Sequence, residues 1–383
     1  MLRRYLMKYF DIQGTKVSRL GYGCMRFPVI DDDNSKIDEA KAAELLKRAI
    51  KNGVNYIDTA YNYHGKMSES FIGKFVEENS LRDEVLLTTK LPAWLVEKPE
   101  DFERLMEEQL SNLRTDYIDF YLLHSLDIKT FRKIVDLGVF DFMKKAKESG
   151  KVRHMGFSFH DEFPAFEEMI NSFPWDFCQI QLNYLDVDYQ AGQKGYELAT
   201  KLGIPVVIME PLKGGRLSNP PKEVRELSDE FKLLTPSQVA LKYPLNLPNV
   251  MTVLSGMNAE EQVDENIEMA SSVEPDSVTE KEKEFFSKAR EFFKAKEQIG
   301  CTTCEYCMPC TVEINIPKVF SLWNNAFIFD EEEKSKKAYT DYLKDGKTAA
   351  DACIACGKCE GLCPQNLEII EGLQKAHDFL TEE

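Results

Sequence analysis

The chain has 383 residues, 43% of them apolar, 30% charged and 11% aromatic, which supplies at least one large core and excludes disordered, collagen-like and membrane-spanning classes. Its 48 Lys and Arg face 65 Asp and Glu, a formal net charge of -17 that disfavours nucleic acid or an anionic membrane as the main partner. The opening MLRRYLMKYF lacks the apolar core and cleavage site of a signal peptide, and no apolar run nears the roughly 18 residues of a membrane span, so a cytoplasmic location is expected.

Through residue 271, short β-rich runs alternate with longer charged helical stretches. SRLGYGCMRF precedes DEAKAAELLKRAIKNG, NYIDTA precedes SESFIGKFVEENS, and EVLLTTKL precedes PEDFERLMEEQLSNLR. YIDFYLLHSL, VRHMGFSFH, FCQIQLNYLD, PVVIMEPL and MTVLSGM continue the series, each leading into an amphipathic segment. Eight strand-then-helix units in this length predict an α/β fold, a (β/α)8 TIM barrel over residues 1–271. An open doubly wound sheet is the rival, but a dinucleotide-binding one carries a GxGxxG after its first strand, and none is present. Residues 272–298 place Phe285, Phe286, Phe292 and Phe293 at amphipathic spacing and read as a linker helix. Residues 299–383 hold eight of the ten cysteines and read as a small, mostly α-helical ferredoxin-like iron–sulfur domain.

In a barrel of this kind, functional groups sit at the C-terminal ends of the strands. Those ends offer Asp58 and Tyr63 after the second strand, Lys90 after the third and His124 after the fourth. Singly, each has an ordinary explanation: a helix cap, a half-buried aromatic, a solvated charge and a core histidine. Together they form a proton-donating device. A phenol of ordinary pKa about 10 becomes a usable acid if an ammonium lies beside it and a carboxylate holds that ammonium.

The order Asp58, Tyr63, Lys90, His124, with the strings IDTAYNY and YIDFYLLH, resembles the catalytic tetrad of the aldo-keto reductases, a likeness covering most of residues 14–270. The resemblance implies an oxidoreductase moving hydride between NADP or NAD and a small carbonyl or alcohol substrate. Tyr63 would protonate the carbonyl oxygen, Lys90 would lower the pKa of Tyr63, Asp58 would pair with Lys90, and His124 would orient the substrate oxygen. Ser158, Gln181 and Asn183 would hold the nicotinamide amide, and Met209 stands where many members stack a Tyr on the ring. In LSGMNAEEQVDEN, the amides at Gly256 and Met257 would meet phosphate, while Gln262 replaces an Arg that often grips a 2′-phosphate. His64 and His160 face the same predicted rim, and Cys24 and Cys178 read as small buried hydrophobes.

The remaining cysteines fall in two runs, Cys301-x2-Cys304-x2-Cys307-x2-Cys310 and Cys353-x2-Cys356-x2-Cys359-x3-Cys363-Pro364. The second is the bacterial ferredoxin run, whose fourth cysteine serves the other cluster of a pair. Two [4Fe-4S] clusters are expected, one on Cys301, Cys304, Cys307 and Cys363, the other on Cys353, Cys356, Cys359 and Cys310. The first run departs from the pattern by its two-residue last spacer and by Thr311 where Pro would follow. Zinc on four cysteines is the rival, though zinc pairs are usually separated by a longer spacer. The segment resembles the ferredoxin domains appended to one branch of aldo-keto reductases. Relay of electrons to a redox partner protein, redox sensing and structural stapling all remain open as cluster roles. The competing functions are a Schiff-base lyase or isomerase using Lys90 and a ferredoxin-linked electron-transfer or redox-sensing protein with a non-catalytic barrel.

Overall fold

The structure is a computed structural model that describes residues 6–231, 234–301, 303, 306–363 and 365–382. It divides into two units, residues 1–218 with 237–279, and residues 219–236 with 280–383.

The first unit opens with an antiparallel hairpin, β1 (Tyr9–Ile12) and β2 (Thr15–Ser18), turned at Gln13 and Gly14 in the left-handed region. The sequence reading contained no such hairpin. Eight parallel strands follow: β3 (Leu20–Gly23), β4 (Tyr56–Asp58), β5 (Leu86–Leu91), β6 (Ile118–Leu126), β7 (Val152–Phe159), β8 (Phe177–Gln181), β9 (Val206–Met209) and β10 (Val250–Ser255). They close into a barrel in which β10 pairs with both β9 and β3. The expected TIM barrel is therefore the observed one.

The strands are buried almost throughout, as parallel strands must be when helices cover one face and the barrel interior the other. Ile12 and Val17 of the hairpin join Tyr56, Phe120, Phe177, Val207 and Met251 in one cluster, which fills the barrel near the strand starts. This leaves the opposite end open for chemistry. Outside, helices turn one apolar stripe inward; in Glu39–Lys51 that stripe is Ala42, Leu45, Leu46 and Ala49, with the Asp38 side chain capping the Lys41 N–H. Helix Met67–Glu78 meets the end of Glu100–Leu113 at Gly73, where an added Cβ would lie 2.3 Å from the Asn112 carbonyl oxygen.

The second unit contains helices Lys222–Glu230, Glu280–Ala295, Ile316–Ile328, Glu332–Lys344, Lys358–Leu362 and Ile369–Thr381. Val319, Phe320, Trp323, Tyr339, Leu373 and Leu380 make its core, and the Tyr339 hydroxyl accepts the Ala350 N–H at 2.9 Å. Residues 280–295, read from sequence as a linker, pack within this unit: Phe285 lies against Phe231 and Phe293 against Phe329, at centroid distances of 6.4 and 5.6 Å. Helix Lys222–Glu230 belongs to the same unit, and Phe231 just after it is the residue that meets Phe285. Among the described residues no helix is long and apolar enough to cross a membrane.

Candidate functional site

A cavity of about 310 Å³ opens at the C-terminal ends of the barrel strands; seven of the eight contribute to its wall, and β5 is represented by Trp94 in the turn that follows it. Asp58 is the last residue of β4, and the chain then turns through Tyr63–Lys66 with His64, Gly65 and Lys66 all at positive φ. That tight turn presents the Tyr63 side chain to the cavity and buries His64, whose ring nitrogens lie 2.8 and 3.0 Å from the carbonyl oxygens of Asn34 and Cys24. His64 is thus engaged with backbone and does not line the cavity; His160 does.

Lys90, in β5, is fully buried, and its ammonium has three neighbours. It donates to Asp58 Oδ1 at 2.8 Å, to the Thr59 carbonyl at 2.7 Å and to the Tyr63 hydroxyl at 3.4 Å. His124 stands on the adjoining strand, its ring 6.2 Å from that of Tyr63 and 5.2 Å from that of Trp94. The β6–β7 register shifts between Leu123 and Leu126, with Ser125 at positive φ. Such a bulge allows two consecutive side chains, His124 and Ser125, to reach one cavity where a regular strand would alternate them. Asp58, Tyr63, Lys90 and His124 are accordingly brought together from three strands and one turn.

Electrostatics at this site differ from the expectation in one respect. Burial holds the Tyr63 phenol above its ordinary pKa of 10.0; Lys90 pulls it down, but less than burial and Asp58 push it up. The net acidification expected of Tyr63 is therefore reversed, because desolvating a phenolate outweighs one ammonium at 3.4 Å. Burial opposes the charged form of Lys90, yet Asp58 and Tyr63 outweigh it and keep the amine protonated. Burial likewise raises the Asp58 carboxyl while Lys90 draws it back. His124 is held well below 6.5 by burial and by Lys90, so its imidazole is neutral, and its Nδ1 has no partner among the described residues.

Of the residues expected at the cofactor, Ser158, Met209 and Gly256 line the cavity. Gln181 and Asn183 do not. Both donate to Asp186 Oδ2 at 3.0 Å, and Asp186 in turn holds the Lys213 ammonium, so a loop carboxylate draws the two amides away. Gln179, two residues earlier on the same strand face, lies in the cavity wall instead, with its Oε1 unpartnered and its Nε2 3.5 Å from Met209 Sδ. Met257 is buried in the hydrophobic core and its carbonyl accepts the Tyr22 hydroxyl at 2.6 Å. Gln262 is exposed and accepts the Asn258 N–H at 2.9 Å, so it caps its own loop. Arg26, Trp94 and Gln179 are wall residues that the sequence reading missed. Arg26 and Trp94 lie in loops just past strand ends, a position that is itself a signal; nothing local distinguished Gln179 from Gln181.

Two unpartnered, buried polar atoms, Ser158 Oγ and Gln179 Oε1, together with the neutral His124, fit a flat polar ring system seated in an otherwise filled barrel. In the second unit, Cys307, Cys310, Cys353, Cys356 and Cys359 line one cavity whose other walls include Val312, Ile316, Ile370 and Leu373. A thiol-rich, largely apolar enclosure suits an inorganic iron–sulfur centre. Cys301 and Cys363 are half-buried against the same core, and Cys304 lies outside the described residues. Among the described residues every cysteine is a free thiol, and no three His, Cys, Asp or Glu side chains converge as ligands of a single metal ion. Cys24 and Cys178 are buried in the barrel, and burial pushes both thiols up, as inert small hydrophobes.

Comparison with known proteins agrees with this division. Among curated proteins, L-galactose dehydrogenase of Arabidopsis thaliana is 25% identical over 287 residues, covering 68% of this chain and 86% of that protein. The 6-dehydroglucose reductase of Novosphingobium aromaticivorans is 28% identical over 221 residues, 54% of this chain and 69% of its own length. Among solved structures, the holo form of an aldo-keto reductase from Bacillus halodurans superposes with a TM-score of 0.62 at 25% identity, over 74% of this chain and 96% of its own. Residues 300–368 match the 4Fe-4S dicluster domain. Residues 19–283 match the Aldo/keto reductase family, and the chain belongs to that family of oxidoreductases, with a 4Fe-4S domain following the barrel in sequence.

Proposed function

We propose that the chain reduces a small carbonyl compound with NADH or NADPH, and oxidises the corresponding alcohol in reverse, using Tyr63 as the acid. The carrying observation is the Tyr63 hydroxyl 3.4 Å from an ammonium that Asp58 fixes at 2.8 Å, in the wall of the strand-end cavity. The bound nicotinamide supplies or accepts hydride at the substrate carbon. Burial keeps Tyr63 protonated, so the proton is available where a carbonyl oxygen turns alkoxide-like. Lys90 stabilises the phenolate as that proton leaves, and its charge is already oriented by Asp58 and Thr59 before substrate arrives. The neutral His124 offers a hydrogen-bond donor to the same oxygen without competing as an acid. Ser158 and Gln179 suit the two faces of a carboxamide, and Met209 the ring plane; Gly256 lines the same cavity with the Arg26 side chain packed closely against it. Gln262, engaged with Asn258, gives no fixed fork for a 2′-phosphate, which keeps NAD alongside NADP.

In the C-terminal unit the reading is two [4Fe-4S] clusters, one on Cys310, Cys353, Cys356 and Cys359, the other on Cys301, Cys304, Cys307 and Cys363. All four cysteines of the first set line one cavity, which supports that set, and Cys307 of the second set lines the same cavity. Because hydride carries two electrons and each cluster one, a structural role needs no further converter, whereas a relay to a partner protein does. The decisive test of the barrel reading is Tyr63→Phe. Carbonyl reduction should be nearly abolished while nicotinamide binding, followed by fluorescence titration, stays within about twofold. An unaltered turnover number removes Tyr63 from the acid role.

A further inference from the structure

We propose that the Thr311 hydroxyl sets the reduction potential of the cluster that Cys356 helps to hold. This rests on the reading above that Cys310, Cys353, Cys356 and Cys359 bind one 4Fe-4S centre. Thr311 Oγ1 lies 3.7 Å from Cys356 Sγ, within hydrogen-bonding reach of a sulfur. The two residues are 45 positions apart and belong to different cysteine runs, yet both line the same thiol-walled cavity. With a free thiol either atom can be the donor. A cysteine that ligates iron has lost its proton, so its sulfur can only accept. Cluster binding therefore fixes the direction: Thr311 donates, and Cys356 Sγ accepts. The Lys358 N–H bonds the same sulfur, making Cys356 a doubly solvated ligand.

One-electron reduction by an external reductant adds negative charge that spreads over the cluster and its thiolates. A donor aimed at one thiolate stabilises the reduced form more than the oxidised form and raises the potential. Thr311 occupies the position after Cys310 where the second run has Pro364 after Cys363, and proline has neither a hydroxyl nor an N–H to offer. The departure from the repeated pattern thus provides a donor for one centre that the corresponding residue of the other run lacks. Both Thr311 and Cys356 are exposed, so water competes with the contact and limits its effect.

The test is an anaerobic redox titration of the full-length, cluster-loaded protein with dithionite and mediators, read by electron paramagnetic resonance. Thr311→Val keeps the side-chain shape, removes the donor and shields the sulfur from replacement water. One midpoint should move negative, the reduced-to-oxidised ratio at the wild-type midpoint falling up to about tenfold, about 59 mV for a one-electron couple. The other midpoint should stay, and Thr311→Ser should retain both. Unmoved midpoints in Thr311→Val with full iron content overturn the proposal, as does a serine variant displaced as far as valine. Should the valine protein assemble without its full iron, the serine protein decides: wild-type midpoints support the hydroxyl, displaced ones overturn it. Iron and sulfide analysis of the wild type is the separate check. A wild-type protein that binds no cluster defeats the underlying reading, whereas a loaded protein with an indifferent Thr311 defeats only this inference.

Discussion

Replacing Lys90 by Met separates what the buried ammonium does for the fold from what it does for chemistry. Lys90 and Asp58 form an ion pair at 2.8 Å with both side chains almost wholly buried. Removing one member leaves an uncompensated carboxylate in the barrel, so Lys90→Met should destabilise the barrel by about 3–5 kcal/mol. Adding Asp58→Asn removes the stranded charge and should restore more than half of that loss. The Thr59 carbonyl stays without its donor, a residual cost of about 1 kcal/mol. Activity should behave differently. At 3.4 Å and an effective dielectric constant of about 20, an ammonium and a phenolate attract by roughly 332/(20 × 3.4), or about 5 kcal/mol. If about half of the phenolate charge has developed in the transition state, about 2.5 kcal/mol is lost, a turnover reduction of roughly 60-fold.

The assays are urea unfolding followed by circular dichroism and consumption of reduced nicotinamide with a panel of small aldehydes. The double variant should be stable and still slow. A double variant that recovers turnover together with stability would refute an electrostatic role for Lys90 and leave it a structural cation. Unchanged stability of the single variant would equally refute the buried ion pair.

Two further outcomes follow from the same geometry. Gln179→Leu should weaken nicotinamide binding by about tenfold, since it removes a buried amide aimed into the cavity, whereas Gln181→Leu should change it by less than about twofold; fluorescence titration compares them. Barrel stability should fall as pH is lowered from about 6.5, because burial, the leading cause, depresses both His124 and His154, so the unfolded chain binds protons in that range that the folded one refuses. Each histidine contributes up to about 1.36 kcal/mol per pH unit between its unfolded and folded values. Urea midpoints at pH 7.5 and 5.5 read the effect, and a flat profile contradicts it.

The barrel was legible because a parallel strand buried on both faces needs a short unbroken apolar run, and the helix that returns the chain needs a one-sided stripe. Eight repetitions of that pair leave few folds to choose from. Asp58, Tyr63, Lys90 and His124 were legible by position, since a strand end in such a barrel faces the open mouth. Gln179 was not, because it and Gln181 share one strand face, and which of them enters the cavity depends on Asp186, a loop residue whose path no local pattern reveals. The bulge at Ser125 was hidden for a related reason: it is a register shift against β7, visible only once two strands are paired. Cysteine spacing disclosed the iron–sulfur segment, but not that the first run would send Thr311 across to a cysteine of the second.

The sign of the Tyr63 shift is the most instructive of these misses. Reasoning from residue types adds an ammonium to a phenol and concludes that the phenol becomes more acidic; depth in the barrel reverses the net result. Yet the reversal suits the reduction direction. A neutral phenol, a neutral imidazole and a fixed ammonium leave one transferable proton on the oxygen nearest the substrate and one charge waiting for the anion that its departure creates. Alcohol oxidation must first deprotonate that same buried phenol. The reverse reaction should therefore accelerate as pH rises toward the raised value, while carbonyl reduction should slow over the same interval. Opposed pH profiles in the two directions, measured on one substrate pair, are the expected result. Parallel profiles would mean that some other group carries the proton.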